Sequence, residues 1–463
     1  MASESLHTYS DAIDYLYSFI NWEVERHMRY TPEVMTLERP RTLLAALGNP
    51  HDRYPIIHIT GTKGKGSVGA MCASALQASG LRTALYSSPH LQDFRERFRV
   101  NNALITPDEF LALVNRMRPA LDTMADDITW FEVTTALAFL YFAEREVDVA
   151  VIEVGLGGRL DATTVVTPIV SVITSLSFDH THLLGDSLAS IAREKAGIIK
   201  PGVPVVSAPQ ADEALNVIMS VADEQNAPLT LVGRDWRFDA GATARAGQAF
   251  TAGPVSGPQR EYWTRLAGGH QVLNATVALA ALDRAAQAGV RVTEQGVRDG
   301  LRQVDWPGRL ELAAQNPAVV LDAAHNGASA RWLRATLDDL FPQRPRVLIF
   351  GASADKDIRG MFEALLPSVD VLIAAQAVHP RALPTAEIES IARETGFTGN
   401  VAQIASVPDA LAEAKRLAGP DGLVVTTGSL FIVGEVRTIF GLPPGHTRRI
   451  TEPMKASQPP VGD

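Results

Sequence analysis

The sequence predicts an α/β protein: a P-loop-containing, doubly wound, mostly parallel sheet domain followed by a second, smaller Rossmann-like α/β domain. Three observations carry that expectation. Apolar, β-branched runs with little polar alternation recur between helical stretches, as parallel strands covered on both faces require. One of these runs, residues 56–59, leads straight into Thr60-Gly61-Thr62-Lys63-Gly64-Lys65-Gly66-Ser67, a glycine-rich loop that opens a helix. Finally, a Pro-Gly break at Trp306-Pro307-Gly308 precedes a fresh start of strand–helix alternation.

Residues 8–50 read as helices: Tyr9-Ser10-Asp11 supplies a cap, and Ile13, Leu16, Phe19 and Ile20 recur at helical spacing. A second helix over 39–47 stops at Gly48-Asn49-Pro50. After the loop come a helix over 68–78 and a strand over 83–86 ending in Ser87-Ser88-Pro89-His90-Leu91. Helices are expected over 109–117 and 131–142, and strands over 147–154, 169–174 and 203–207. Residues 236–265, with a turn-rich segment at 252–258, read as an antiparallel excursion. Helices over 274–288 and near 294–301 complete a first domain, 1–305. Strands over 319–321, 347–350, 371–375 and 423–426 build the second, 306–447. The last residues, 448–463, hold three prolines and little apolar surface, so a disordered tail is expected.

Composition narrows the function. A chain of 463 residues exceeds one compact core. A net charge of -10 disfavours a nucleic-acid partner, although local lysines can still hold a nucleotide. The only cysteine, Cys72, allows no internal disulfide and fits a reducing cytoplasm. The first residues lack a signal-peptide pattern, and no apolar run approaches the roughly 18 residues of a membrane span. The expectation is a cytoplasmic monomer with no membrane partner.

The glycines of the loop let backbone N–H groups turn inward, and the following helix adds its positive end. Lys65 would reach outer phosphates, and Ser67 offers a hydroxyl to phosphate or Mg²⁺. The spacing is unusual: Ile59 stands where the common motif has its first glycine, and the hydroxyl follows Lys65 by two positions. An ordinary glycine-rich turn is the alternative, but the flanking strand, helix and Lys65 favour nucleotide binding.

Four further segments sit at or after strand ends, where open α/β sheets bind ligands. Ser87-Ser88-Pro89-His90 by itself reads as a capped turn. Glu153 ends an apolar strand, where a carboxylate is unfavourable unless paired, so it reads as a metal or ligand contact. Ser177-Phe178-Asp179-His180-Thr181-His182 has no cysteine nearby and suits Mg²⁺ better than zinc. On composition, Ala192-Arg193-Glu194-Lys195-Ala196-Gly197 is a solvated helix end with an ion pair.

Taken in order with Glu153-Val154-Gly155-Leu156-Gly157-Gly158-Arg159-Leu160-Asp161, these segments resemble the folylpolyglutamate synthase branch of the Mur-ligase family. So do Trp306-Pro307-Gly308-Arg309-Leu310-Glu311, Leu321-Asp322-Ala323-Ala324-His325-Asn326, Gly351 with Asp355-Lys356-Asp357, and Thr427-Gly428-Ser429-Leu430-Phe431. The resemblance spans roughly residues 10–445. It implies an ATP-dependent amide ligase that adds L-glutamate to folates through an acyl phosphate; addition to dihydropteroate would use the same site and mechanism, and the sequence does not separate the two activities.

By that resemblance, Gly61, Thr62, Gly64, Lys65, Gly66 and Ser67 hold the triphosphate, and Asn274, Arg309 and Asp322 contact ATP from the domain junction. Ser88, Glu153, His180 and Lys195 (as a carbamate) supply ligands for two Mg²⁺ ions, with a monovalent cation as a further candidate. His325 and Ser429 position the incoming glutamate; Lys65, His180, Lys195 and His325 form the catalytic set. Thr129, Trp130, Phe131 and Glu132, with Leu160, Asp161 and Ala162, match the places that hold the pterin-bearing substrate. Two departures stand out: Lys63 replaces the usual Asn, and His182 an acidic residue. A ligase acting on UDP-muramoyl peptides is the near alternative, against which only about 50 mostly helical residues precede the loop. A non-catalytic nucleotide-binding module is the other.

Overall fold

Five buried residues, Ile56–Thr60, form the strand on which the N-terminal half is built. Its three isoleucines suit a strand flanked and covered on all sides, and the two polar members bond internally, His58 to the Thr163 hydroxyl and Thr60 to the Gly157 carbonyl. In the computed structural model, which describes residues 5–21, 35–124 and 128–447, it lies inside an eight-stranded sheet. The order is Ala103–Leu104, Phe98–Val100, Thr83–Tyr86, Val149–Glu153, Ile56–Thr60, Val170–Ile173, Val205–Ser207, Leu229–Leu231. All pairs from Thr83–Tyr86 onward are parallel, and the first two strands are antiparallel additions. The register sets Ile59 beside Glu153 on one flank and Val172 on the other. Parallel pairing therefore brings the loops after Thr60, Tyr86, Glu153 and Ile173 to one edge, and that edge carries the site.

Helix Lys65–Ala78 packs one face of this sheet together with Gly269–Gln287 and Glu294–Gln303. Two glycines permit the close approach: a Cβ on Gly300 would run into the Ala75 backbone, and one on Gly296 into Ser79. The other face is covered by Trp130–Glu144, buried around nearly its whole circumference. A three-stranded antiparallel sheet, Trp236–Ala244, Gly247–Pro254 and Arg260–Thr264, is the predicted excursion.

The second sheet has six strands in the order Glu311–Gln315, Ala318–Leu321, Leu423–Thr427, Arg346–Phe350, Val371–Ala374, Asn400–Gln403. Only the first pair is antiparallel. Apolar clusters cover both faces, as in the first sheet. No helix among the described residues is long and apolar enough to cross a membrane.

Several local expectations need correction. The first helix is capped by Thr8, whose hydroxyl accepts from the Asp11 N–H while the Asp11 carboxylate reaches back, so Asp11 is the third helical residue. The helix after the loop starts at Lys65, three residues earlier than expected, and the one expected over 274–288 starts at Gly269. Residues 252–254 belong to a strand because cross-strand pairing overrides the turn propensity of Gly253 and Pro254. Phe98–Val100, Ala103–Leu104, Leu229–Leu231, Glu311–Gln315 and Asn400–Gln403 were not anticipated; they are short, polar or alanine-rich. The tail expected over 448–463 lies outside the described residues.

Candidate active site

The carboxyl edges of the two parallel sheets face each other across a cavity of about 1010 Å³. On one wall lies the glycine loop. Gly61 (φ 147°) presses against the Thr174 side chain, and Gly64 (φ 90°) against the Asn274 amide, so a Cβ at either position would collide. A Cβ on Gly66 would fall 2.8 Å from the Trp306 ring. Three glycines are thus required by three different neighbours.

Thr62 does not behave as expected of a phosphate contact. Its N–H and that of Lys63 both donate to the Ser175 carbonyl (3.1 and 3.0 Å), and its hydroxyl bonds Ser177. It clasps the loop to the next strand. Lys65, Gly66 and Ser67 open the helix, where the first-turn N–H groups lack an intrahelical acceptor.

Lys65 Nζ lies 3.8 Å from Glu153 Oε1. Glu153 is 5% exposed and accepts from the Ser88 N–H. Burial nevertheless pushes its carboxyl up to about 7, against the pull of Lys65 and Arg309. An acid whose folded pKa exceeds its unfolded one loses native stability as pH rises from about 4.5 to 7. Glu153→Gln is therefore expected to leave Tm nearly unchanged at pH 4.5 and to raise it relative to wild type above pH 7. The full effect is on the order of 3 kcal/mol. Thermal unfolding of both proteins across that window checks it; a difference that shrinks with pH contradicts it.

Lys195 corrects the reading of its segment as a solvated helix end. It is 5% exposed, and its Nζ donates to the Gly61 carbonyl (3.0 Å). Burial, then Lys65, pushes its pKa down to about 7. Only Glu194 keeps the surface ion pair, with Arg159 at 2.8 Å. Gly158 and Gly197 make this possible: a Cβ on either would enter the backbone of the other segment.

Across the cavity, Asp179 meets Lys356 Nζ at 3.0 Å, His325 Nε2 at 3.8 Å and His180 Nε2 at 3.9 Å. Burial would raise the Asp179 carboxyl, but Lys356 and the two histidines outweigh it and hold the group well below the carboxylate range. Burial, then Lys356, lowers both imidazoles to about 4, so both are neutral at pH 7. Asp179 and Lys356 form an ion pair between the two sheets' loops that sequence reasoning quoted in motifs but assigned no role. Their positions just past strand ends were the available signal.

Asp322 accepts from the N–H of Leu310 and of Ala324 (both 2.9 Å), and burial raises its carboxyl despite Arg309. The Arg309 charge thus acts on both Glu153 and Asp322, one from each sheet. Asn274 donates to Gln271 (3.0 Å) beside Gly64, and Ser429 caps the helix Leu430–Ile439 while lining the cavity.

At the far end, Trp130 is stacked by Tyr17 (5.8 Å) and covered by Arg97 (4.8 Å), and Phe131 lies over Gly155. Thr129 and Glu132 form a capping box, and Glu132 is held by Arg39 at 2.9 Å. Asp161 accepts from the N–H of Leu156 (2.9 Å) and Thr163 (3.0 Å). Both carboxylates therefore hold their own loops, and this end offers aromatic faces, Leu160 and Ala162 rather than free acids.

Among the described residues no three His, Cys, Asp or Glu side chains converge as an all-protein cage. Glu153, the Ser88 hydroxyl and neutral His180 line the same cavity. That donor set fits a hard cation that takes its remaining oxygens from phosphate and water, and it does not fit zinc.

Residues 59–282 match the Mur ligase middle domain, and 308–430 the Mur ligase glutamate ligase domain. The chain is 35% identical over 407 residues to the dihydrofolate synthase/folylpolyglutamate synthase of Bacillus subtilis, covering 87% of this chain and 94% of that one. Mycobacterium tuberculosis folylpolyglutamate synthase complexed with ADP superposes with a TM-score of 0.84 at 32% identity, over 94% of this chain and 99% of its own. Escherichia coli FolC in complex with DHPP and ADP gives 0.83 at 29%, over 95% and 99%. With both ligase domains matched in order and relatives aligned over most of their length, this chain belongs to the Mur ligase family, in its folylpolyglutamate synthase branch.

Proposed function

We propose that this chain is an ATP-dependent ligase that joins L-glutamate to the tail carboxylate of a folate through an acyl phosphate. The observation that carries this reading is one shared cavity: the glycine loop, Lys65 and Lys195 on one side, and Arg309, Asp322 and His325 on the other. Relatives bound to ADP support ATP as the phosphoryl donor. Dihydropteroate is a second substrate for the same site, supported by the two activities in the B. subtilis relative's name and by the aromatic end around Trp130.

A carboxylate resists attack by an amine, so it must first accept the terminal phosphoryl group of ATP. Lys65 and the N–H groups of Lys65, Gly66 and Ser67 hold the charge that spreads over that group during transfer. Bound Mg²⁺ would add further charge neutralisation there, held by Glu153, Ser88, His180 and Lys195 as its carbamate. Arg309, Asp322 and Asn274 hold the nucleotide from the junction. His325 is too weak a base at about 4 to deprotonate an ammonium, and with Ser429 it positions the incoming glutamate. The free amine attacks, phosphate leaves with the electron pair of the C–O bond that breaks, and the proton that the nitrogen sheds goes to the departing phosphate. Water would destroy the acyl phosphate, which accounts for a site enclosed between two bodies, 1–305 and 306–447.

The test is ADP release with L-glutamate in the presence of tetrahydrofolate, dihydropteroate or a UDP-muramoyl peptide. Turnover with the first, and with the second for the dual reading, is expected. Turnover with the UDP-muramoyl peptide alone would overturn the folate assignment.

A further inference from the structure

Arg437 lies on the last helix, away from the cavity, and is 0% exposed. Its nitrogens reach three separate parts of the chain. Nε donates to the Gln92 side chain (2.7 Å), in the loop that follows Ser88. Nη1 pairs with Glu311, the first residue of the second sheet. Nη2 donates to the carbonyls of Pro443 (2.8 Å) and His446 (2.7 Å). The segment these carbonyls belong to is also tied to the first half: the Gly445 carbonyl accepts from Arg99 (3.0 Å), and the Thr447 N–H donates to Asp305 (3.0 Å).

Glu311 carries this arrangement to the connection between the sheets. Its second oxygen accepts from the Gly308 N–H (3.0 Å). From the other side, the Gly308 carbonyl accepts from Ala323 (2.9 Å) and Leu310 donates to Asp322 (2.9 Å). Held between these bonds, residues 306–310 set Trp306 on Gly66 and send the Arg309 charge toward Glu153 and Asp322. A buried ion pair alone would be weak grounds for a functional role, since apolar replacements are often as stable. Here each of the three guanidinium nitrogens goes to a different part of the chain, in a fixed fork geometry that lysine cannot supply.

We propose that Arg437 is a positioning residue for the nucleotide: through Glu311 and the Gly308 N–H it fixes the 306–310 connection, and with it Trp306 and Arg309. The proposal rests on the reading that the nucleotide occupies the loop 61–67. Its test is calorimetric ADP binding to full-length Arg437→Lys and to the double variant Arg437→Met/Glu311→Gln. In the latter the buried charges are removed together, while the side-chain amide oxygen introduced at position 311 can still accept from the Gly308 N–H.

Both variants are expected to unfold cooperatively and to bind ADP about tenfold more weakly, which is about 1.4 kcal/mol. Arg309→Ala should weaken ADP binding too, and adding Arg437→Lys to it should cost little more, because both act through one connection. A purely structural role would make the two effects additive. Folded variants with wild-type ADP affinity, or additive effects, overturn the proposal. Wild-type protein that does not bind ADP would instead overturn the nucleotide reading itself.

Discussion

Lys65→Ala is expected to lower turnover by about three orders of magnitude, roughly 4 kcal/mol of transition-state stabilisation, while the protein still folds. Lys65 sits in the first turn of a helix, where alanine is at least as favourable for the backbone. Its side chain packs no apolar cluster and meets Glu153 only across 3.8 Å. The charge lost with it is the one nearest to the transferring phosphoryl group in the proposed mechanism. Burst measurement of ADP formation should show loss of the phosphoryl-transfer step itself, with cooperative thermal unfolding retained. Near-normal turnover would mean that the loop is not the phosphate cradle.

A loss of similar size is expected for Lys195→Ala, for a different reason. The Lys195 amine, pushed down to about 7 by burial and Lys65, is substantially neutral at pH 8 and can attack CO₂. The N–C bond forms, the amine proton is released, and an anionic carbamate with two oxygens results, a good partner for a hard cation. Small carboxylates such as acetate should partly restore Lys195→Ala by filling the same space. Below pH 7 the amine holds its proton, so enzyme stripped of CO₂ should recover with bicarbonate at pH 8 and fail to recover at pH 6. The unmodified protein should also gain stability from pH 7 to 10.5, where the unfolded chain binds a proton that the folded one does not. A ¹³C-bicarbonate NMR spectrum of active enzyme without a carbamate resonance would rule the modification out.

These two lysines also mark what the sequence could reveal. The placement of Lys65 between a strand and a helix was readable because its glycines, lysine and hydroxyl are contiguous in the sequence. The burial of Lys195 was not, because it depends on Gly158 and Gly197 letting two distant segments interlock. The same holds for Asp179 and Lys356, joined only when two sheets face each other. The strands Phe98–Val100 and Asn400–Gln403 are set by pairing partners rather than by their own polar residues. One signal was present and passed over. Thr129-x-x-Glu132 is a capping-box pattern, and it accounts for a carboxylate otherwise assigned to substrate.

Phosphorylation of a folate carboxylate before glutamate attacks would leave an isotopic signature in the released phosphate. Folate labelled with ¹⁸O in its tail carboxylate should be turned over with ATP and L-glutamate, and the released phosphate analysed by mass spectrometry. An acyl phosphate requires one labelled oxygen to leave with each phosphate, at a stoichiometry of one ADP per amide bond. Unlabelled phosphate accompanying amide formation, or release of AMP and pyrophosphate in place of ADP, would contradict the mechanism.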